Sequence, residues 1–250
     1  MTEIASDAAP APPEVSVIMP VRNGAAFVAD AIGSVQRQDG VSFEILARDD
    51  GSTDGTLAIL QRFALDDHRI KVAWGPCEGP AACRNRCLER ASGAFVAFLD
   101  HDDLWPDGRL PRQLQRLRAQ PDAMAVLGET LMFERLGADG RPASSPGLRR
   151  VFAGLLQAGL FRRALFEEVG SFDPALLAAD DFDVVLRMIE TGCRIEREAE
   201  VAVHYRLHAA QHTADLRFTG AQTARAIARS LRRRRARGGA PSPLPPLERP

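Results

Sequence analysis

Ala94-Phe95-Val96-Ala97-Phe98-Leu99-Asp100-His101-Asp102-Asp103 carries six apolar residues directly into four polar ones. A run that is apolar throughout marks a strand buried on both faces of a sheet, and its abrupt end places the acidic residues at the strand's carboxyl end. Upstream, Val15-Ser16-Val17-Ile18-Met19-Pro20-Val21 repeats the pattern, and Phe27, Val28, Ile32 and Val35 then recur at helical spacing. Phe43 to Ala47 predicts a second strand, with Leu57, Leu60 and Ala64 on one face of a second helix. Ile70 to Trp74 predicts a third strand and Ala81 to Ala91 a third helix, which makes Ala94 to Leu99 the fourth strand. Apolar strands alternating with helices predict an α/β, Rossmann-like half on a mostly parallel central sheet flanked by helices.

Downstream of Gly108 the alternation weakens. A polar helix around Arg112 to Ala119 precedes a strand near Met124 to Phe133 and a polar loop to Gly147; a helix from Asp180 to Glu190 and a strand near Val201 to Leu207 follow. This half predicts a mixed α+β arrangement that completes the same sheet. The expected organisation is a disordered lead at 1–13, one domain at 14–215 with halves at 14–110 and 111–215, and an Arg-rich helix with a Pro-rich disordered tail at 216–250.

The chain's 250 residues are 45% apolar, enough for a sizeable core without disulfide or metal staples. Its formal net charge of −1 hides a segregation, because Leu216 to Pro250 holds nine arginines against Glu248 alone. The tail is therefore +8 and the body −9, which excludes the overall basic character of a nucleic-acid binder for the body. In the tail Phe218 is the one aromatic residue among the arginines, so nucleic acid is not an expected partner there either. No apolar run approaches the roughly 18 residues of a membrane span, and the first residues do not form a signal peptide. Cys77, Cys83, Cys87 and Cys193 lack the spacing of a zinc site or disulfide framework, and the expectation is four buried thiols in a reducing cytoplasm.

Two acidic clusters fall at equivalent places, Asp49-Asp50 after the second strand and Asp100 to Asp103 after the fourth. The carboxyl edge of an open α/β sheet is where ligands bind. Carboxylates crowded there repel one another and any phosphate unless donors surround them, some protonate, or a cation bridges them. A hard divalent cation, Mg2+ or Mn2+, resolves this most simply. The Asp-Gly-Ser-Thr-Asp-Gly run at 50–55 also suits plain turn and N-cap chemistry, and both readings stand on sequence alone.

Val15 to Asn23, Asp49 to Thr56, Gly79 to Asn85, and Phe98 to Asp103 followed by Trp105-Pro106 together resemble family 2 glycosyltransferases of the GT-A fold. Val169 to Asp173, Asp180 to Asp183 and Tyr205 to His208 agree in order and spacing. The resemblance implies a nucleotide-sugar donor, a divalent cation, and inverting transfer to a saccharide or lipid-linked acceptor hydroxyl in cell-surface glycan synthesis. It implies that Pro20 and Val21 line the nucleotide, that Arg22 meets it where an aromatic residue is usual, and that Asp50 accepts from the base. Arg84 would face the nucleotide, Asp100 would contact ribose or metal, Asp102 would hold the cation, and Asp103 would brace its neighbours. Asp181 occupies the general base's position, and a helix beginning at Asp180 would place Asp181, Val185 and Met188 on one inward face. Asp180 stands where Glu is usual, and Arg48 where an apolar residue is usual. His101 is expected to be a spacer between the acids, and His208 a candidate to approach the diphosphate. His204, His208 and His212 lie four apart, but a strand there would scatter the first two.

Two competing readings remain at this stage. A strand-end DxD also serves phosphoryl transfer of the haloacid-dehalogenase type, but that chemistry wants it on the leading strand with a lysine nearby, and the chain's sole lysine is Lys71. A nucleotide-binding protein without turnover is the other. The basic helix places Ala224, Ile227 or Ala228, and Leu231 on one face, which fits peripheral contact of 216–237 with an anionic membrane, a solvated extension, or docking on the acidic body. The expected location is cytoplasmic, peripheral to the inner face of the membrane.

Overall fold

In the computed structural model, residues 11–143, 148–152, 156–209 and 216–238 are described. The expected lead, the end of the polar loop, His212 and the Pro-rich tail fall wholly or largely outside them.

Four strands, β1 (Val15–Val21), β2 (Phe43–Asp49), β3 (Ile70–Trp74) and β4 (Phe95–Phe98), are parallel, with β1 between β2 and β4 and β3 at the edge. They alternate with α1 (Val28–Gln36), α2 (Thr56–Asp66) and α3 (Pro80–Leu88). Next come α4 (Arg109–Ala119), β5 (Ala123–Phe133), β6 (Arg149–Val151), β7 (Gly159–Arg162), α5 (Leu165–Val169), α6 (Asp180–Thr191), β8 (Arg194–Arg206) and α7 (Leu216–Ala236). The short β7 runs antiparallel between β4 and β5, while β5 carries β8 in parallel and β6 antiparallel. The second half thus completes one continuous sheet.

Alternation along β1 explains the layers. Val15, Val17, Met19 and Val21 pack with α1, α2 and α4 on one face, while Ile18 joins Leu46, Val96 and Phe98 against α3, α5 and α6 on the other. Burial on both faces is why β1 and β4 are almost wholly apolar, and the buried exception in β1, Ser16, is hydrogen-bonded to the buried Glu44 of β2 at 2.6 Å.

Several boundaries differ from the sequence expectation. β2 runs to Asp49, so Arg48 and Asp49 lie inside the strand; α3 ends at Leu88; and β8 begins at Arg194 rather than near Val201. Cross-strand pairing from Ile45↔Ile70 to Asp49↔Trp74 keeps the polar end of β2 extended. Cys83 and Cys87 are buried, but Cys77 is exposed on the loop after β3, against the expectation for it. Among the described residues no helix is long and apolar enough to cross a membrane.

Candidate active site at the carboxyl edge of the sheet

β1, β2 and β4 all end at one rim, and the loops leaving them are tied to one another. Asn23, in the left-handed region at φ 49°, donates its N–H to Ser52 Oγ at 2.9 Å, and Thr53 N–H returns to Asn23 Oδ1 at 2.9 Å. Gly24 N–H reaches Thr56 Oγ1 at 2.8 Å. The Ser, Thr and second Asp of the 50–55 run are therefore turn chemistry. Asp50 is different: it is buried, and its carboxylate accepts from Glu78 N–H at 2.7 Å and Gly79 N–H at 2.9 Å. Gly79 sits at φ 90°, a conformation open to glycine, and this lets the loop after β3 turn its amides onto Asp50. Both Asp50 oxygens are thus engaged by the backbone of that loop, where the sequence expectation had them accepting from a base. Pro20 and Val21 are buried as the last two residues of β1, and Arg22 is exposed beside them.

Asp100 and Asp102 leave β4 in different surroundings. Asp100 Oδ1 accepts from Arg84 at 2.8 Å, and its Oδ2 accepts from Gln157 Nε2. Burial would raise the Asp100 pKa, but the Arg84 charge and the two hydrogen bonds carry it below the ordinary value. Asp102 lies 3.0 Å from His208 Nε2, and the His208 ring packs on Phe27 with centroids 4.5 Å apart. His101 lies against Gly24, where an added Cβ would come within 2.4 Å of its ring. Asp103 is buried and accepts Arg206 N–H at 2.9 Å, bracing the end of β8; burial and the charges of Asp102 and Asp100 carry its pKa well above the carboxylate range.

Arg84 joins the two halves. It is buried on α3 and donates to Asp180 at 2.7 Å as well as to Asp100, so it is ringed by carboxylates rather than open to the rim. Next to it, Asn85 exchanges hydrogen bonds with the Phe172 backbone at 2.9 and 2.8 Å. The buried stripe of α6 runs through Asp180, Val184 and Met188, whereas Val185 is only partly buried. This corrects the expected face by one residue, and the reason is Arg84, which draws Asp180 inward. Asp181 sits at the border of that stripe, partly buried, with its Oδ1 on Phe182 N–H at 2.7 Å. Burial, then the neighbouring Asp180 charge, push its pKa up to about 6 against the pull of Arg84.

Sequence reasoning missed Gln157, which bonds Asp100 from a 3₁₀ turn at Leu156–Ala158 with no periodicity to betray it. It also gave no role to Arg206, whose guanidinium holds the Asp102 carbonyl at 2.9 Å and Asp30 at 3.1 Å.

An open α/β sheet whose acidic residues gather at the carboxyl ends of its strands belongs to the class of folds that bind ligands at that edge. The sequence matches the profile of Glycosyl transferase family 2 over residues 16–144, and the chain belongs to that family. It is 36% identical over 140 residues to a GalNAc(5)-diNAcBac-PP-undecaprenol beta-1,3-glucosyltransferase of Campylobacter jejuni, covering 55% of this chain and 44% of the relative. It is 38% identical over 104 residues to the UDP-Glc:alpha-D-GlcNAc-diphosphoundecaprenol beta-1,3-glucosyltransferase WfgD of Escherichia coli, covering 41% of this chain and 40% of that one. The chain spans half or less of the length of such curated relatives. In fold it is similar to the mannosyltransferase PcManGT from Pyrobaculum calidifontis, solved with GDP-Man and Mn2+, with a TM-score of 0.68 and 22% identity over 95% of this chain and 67% of that one. The fold is GT-A.

Proposed function

We propose that the chain is an inverting glycosyltransferase that moves a sugar from a nucleotide-diphosphate sugar to an acceptor hydroxyl. The observation that carries this is Asp181: a carboxyl with a pKa near 6 at the helix that Arg84 ties to the DxD strand end. Attack on the anomeric carbon needs a base that takes the acceptor's proton, and a carboxylate poised near 6 is ionised at neutral pH yet more basic than a surface acid. Asp50 and the Glu78 and Gly79 amides shape the base side, with Pro20, Val21 and Arg22 beside them.

A divalent cation, Mn2+ or Mg2+, fits the donor set in a limited way. Among the described residues no group of three or more potential ligands forms a preassembled cage. Both Asp100 oxygens are already engaged, so Asp102 is the residue to hold the ion, with His208 adjacent and the donor's phosphates completing the shell. When bound, such an ion offsets the charge growing on the leaving diphosphate.

Relatives named for diphosphoundecaprenol-linked substrates favour a lipid-linked saccharide acceptor in cell-surface glycan synthesis. Peripheral contact with the inner, anionic face of the membrane is the matching location. One face of α7 is taken up by the body, and the other supports this location. Arg233 holds Asp183 at 3.0 Å and Glu190 at 2.7 Å, Arg229 pairs with Asp173, and Ala226 packs with Leu176 and Leu186, so the helix docks on the body. The face carrying Ala224, Ile227 and Leu231 turns outward with Arg225, Arg232 and Arg235 around it.

The test is a screen of UDP, GDP, CDP and dTDP, with and without Mn2+, for thermal stabilisation, followed by transfer assays on Asp181→Asn. Metal-dependent stabilisation by one diphosphate, with transfer lost and binding kept in the variant, is the expected result.

A further inference from the structure

Leu104 and His204 pair through their backbones in both directions, at 3.0 and 2.8 Å, just beyond the Asp102 and His208 contact. A cavity of about 320 Å³ lies along these two residues, Leu104 two positions after Asp102 in the chain and His204 four before His208. Leu104, Trp105 and Pro106 form one wall, and Arg37, Arg141 and Asp107 stand around it with His204. These parts are held in place. Gln38 is buried, donates to the Pro106 carbonyl at 2.9 Å and accepts Leu110 N–H at 3.0 Å. Arg141 is presented by a turn closed by Gly137 N–H on its carbonyl at 2.8 Å.

The electrostatics are unbalanced. Asp107 accepts from Arg37 at 3.4 Å and from Arg141 at 2.9 Å, so two guanidiniums share one carboxylate, and neither has another ion-pair partner among the described residues. One positive charge is in excess, and most guanidinium N–H donors remain for a planar anion. His204 adds no charge, because burial pushes its pKa down to about 4. Trp105 is 1% exposed, and its indole N–H has no partner. A volume of this order lies at the small end of ligand pockets, suited to a single sugar residue rather than a nucleotide.

We propose that this cavity is a subsite for an anionic sugar residue of the acceptor, its carboxylate or phosphate held by Arg37 and Arg141 and its ring against Pro106 and His204. The subsite rests on the glycosyl-transfer reading, since it gives that reaction's acceptor a chemical class.

The chain has two tryptophans, and Trp74 is 62% exposed on the edge strand, so Trp74→Phe leaves Trp105 as the sole tryptophan, excited selectively above the tyrosine band. Fluorescence titration of that protein with glucuronic acid and glucose 6-phosphate should give saturable changes at concentrations at least tenfold below any produced by glucose. Whichever charged sugar saturates first distinguishes carboxylate from phosphate. Adding Arg37→Gln and Arg141→Gln should weaken the response tenfold or more. Glucose matching the charged sugars, no saturable response to either of them, or an unchanged double variant would overturn the subsite. The same proteins are screened for nucleoside-diphosphate stabilisation with Mn2+. Nucleotide binding without charged-sugar binding removes the subsite alone, while absence of both removes the transferase reading.

Discussion

The Arg84 guanidinium meets the Asp180 carboxylate at 2.7 Å with both side chains buried, and its second arm holds Asp100 at 2.8 Å. One cation therefore sets the distance between the DxD strand end and the helix bearing Asp181. Removing it strands two buried carboxylates, so Arg84→Gln should destabilise the fold by roughly 3–5 kcal/mol. Arg84→Lys keeps the charge but not the two-armed geometry. It should remain folded in thermal melts and lose transfer by a larger factor than nucleotide affinity; equal losses would show that Arg84 serves the donor directly.

Asp181→Asn should lower kcat by at least about a hundredfold, the scale of a lost general base, while nucleotide binding is kept. Stability should move the other way. The native pKa of Asp181, about 6, lies above its ordinary 3.8, so the stabilisation it contributes is complete below the unfolded value and is lost as pH rises through the folded one. At pH 7 the asparagine variant should melt higher, by about 1–2 kcal/mol after allowing for partial exposure. The wild-type rate should fall as pH drops below about 6, because the base becomes protonated. A pH–rate profile and paired melts check both halves; a variant that melts lower at pH 7 would contradict the buried-acid account.

The strands and the acidic rim were legible in the sequence because each depends on local pattern: apolar runs for Val15–Val21 and Phe95–Phe98, and acids that stop them. The inward residue of α6 was not legible. Periodicity allows Asp180 or Asp181, and the choice is made by Arg84, 96 positions away in the chain. The docking of α7 was equally hidden, since charge pattern alone fits lipid and the Asp183 and Glu190 pair equally well. Long-range ion pairs leave no periodic trace, whereas burial on a sheet does.

Asp50 accepts two backbone N–H groups from the loop after β3. Asp50→Asn replaces one acceptor oxygen with a donor and leaves a buried amide unpaired, at a cost of about 1–3 kcal/mol. Nucleotide affinity should fall tenfold or more along with the melting temperature. Calorimetric titration with the preferred nucleoside diphosphate checks this, and affinity retained at full strength would mean that the loop does not form the base's wall.

Asp102→Asn should abolish the metal-dependent part of nucleotide stabilisation and leave the metal-free part intact. His208→Ala, removing the ring 3.0 Å from Asp102, should weaken the same component less. The readout is the difference in melting temperature with and without Mn2+ at a fixed nucleotide concentration. If the metal-dependent difference survives in Asp102→Asn, the ion is held elsewhere.

The outward face of α7 carries Ile227 and Leu231, each 42% exposed, with Arg225, Arg232 and Arg235 exposed around them, while Arg229 and Arg233 are engaged with the body. Near an anionic surface each free arginine contributes about 1 kcal/mol, so replacing the three with glutamine should reduce binding to phosphatidylglycerol vesicles roughly a hundredfold. Changing Arg233 instead breaks ion pairs to Asp183 and Glu190 and should lower the melting temperature more than it lowers vesicle binding. Sedimentation with anionic and neutral vesicles separates these effects. Unchanged partitioning of the triple variant would assign α7 to bracing α6 alone, leaving the Arg-rich face with no part in bringing the rim to a lipid-linked acceptor.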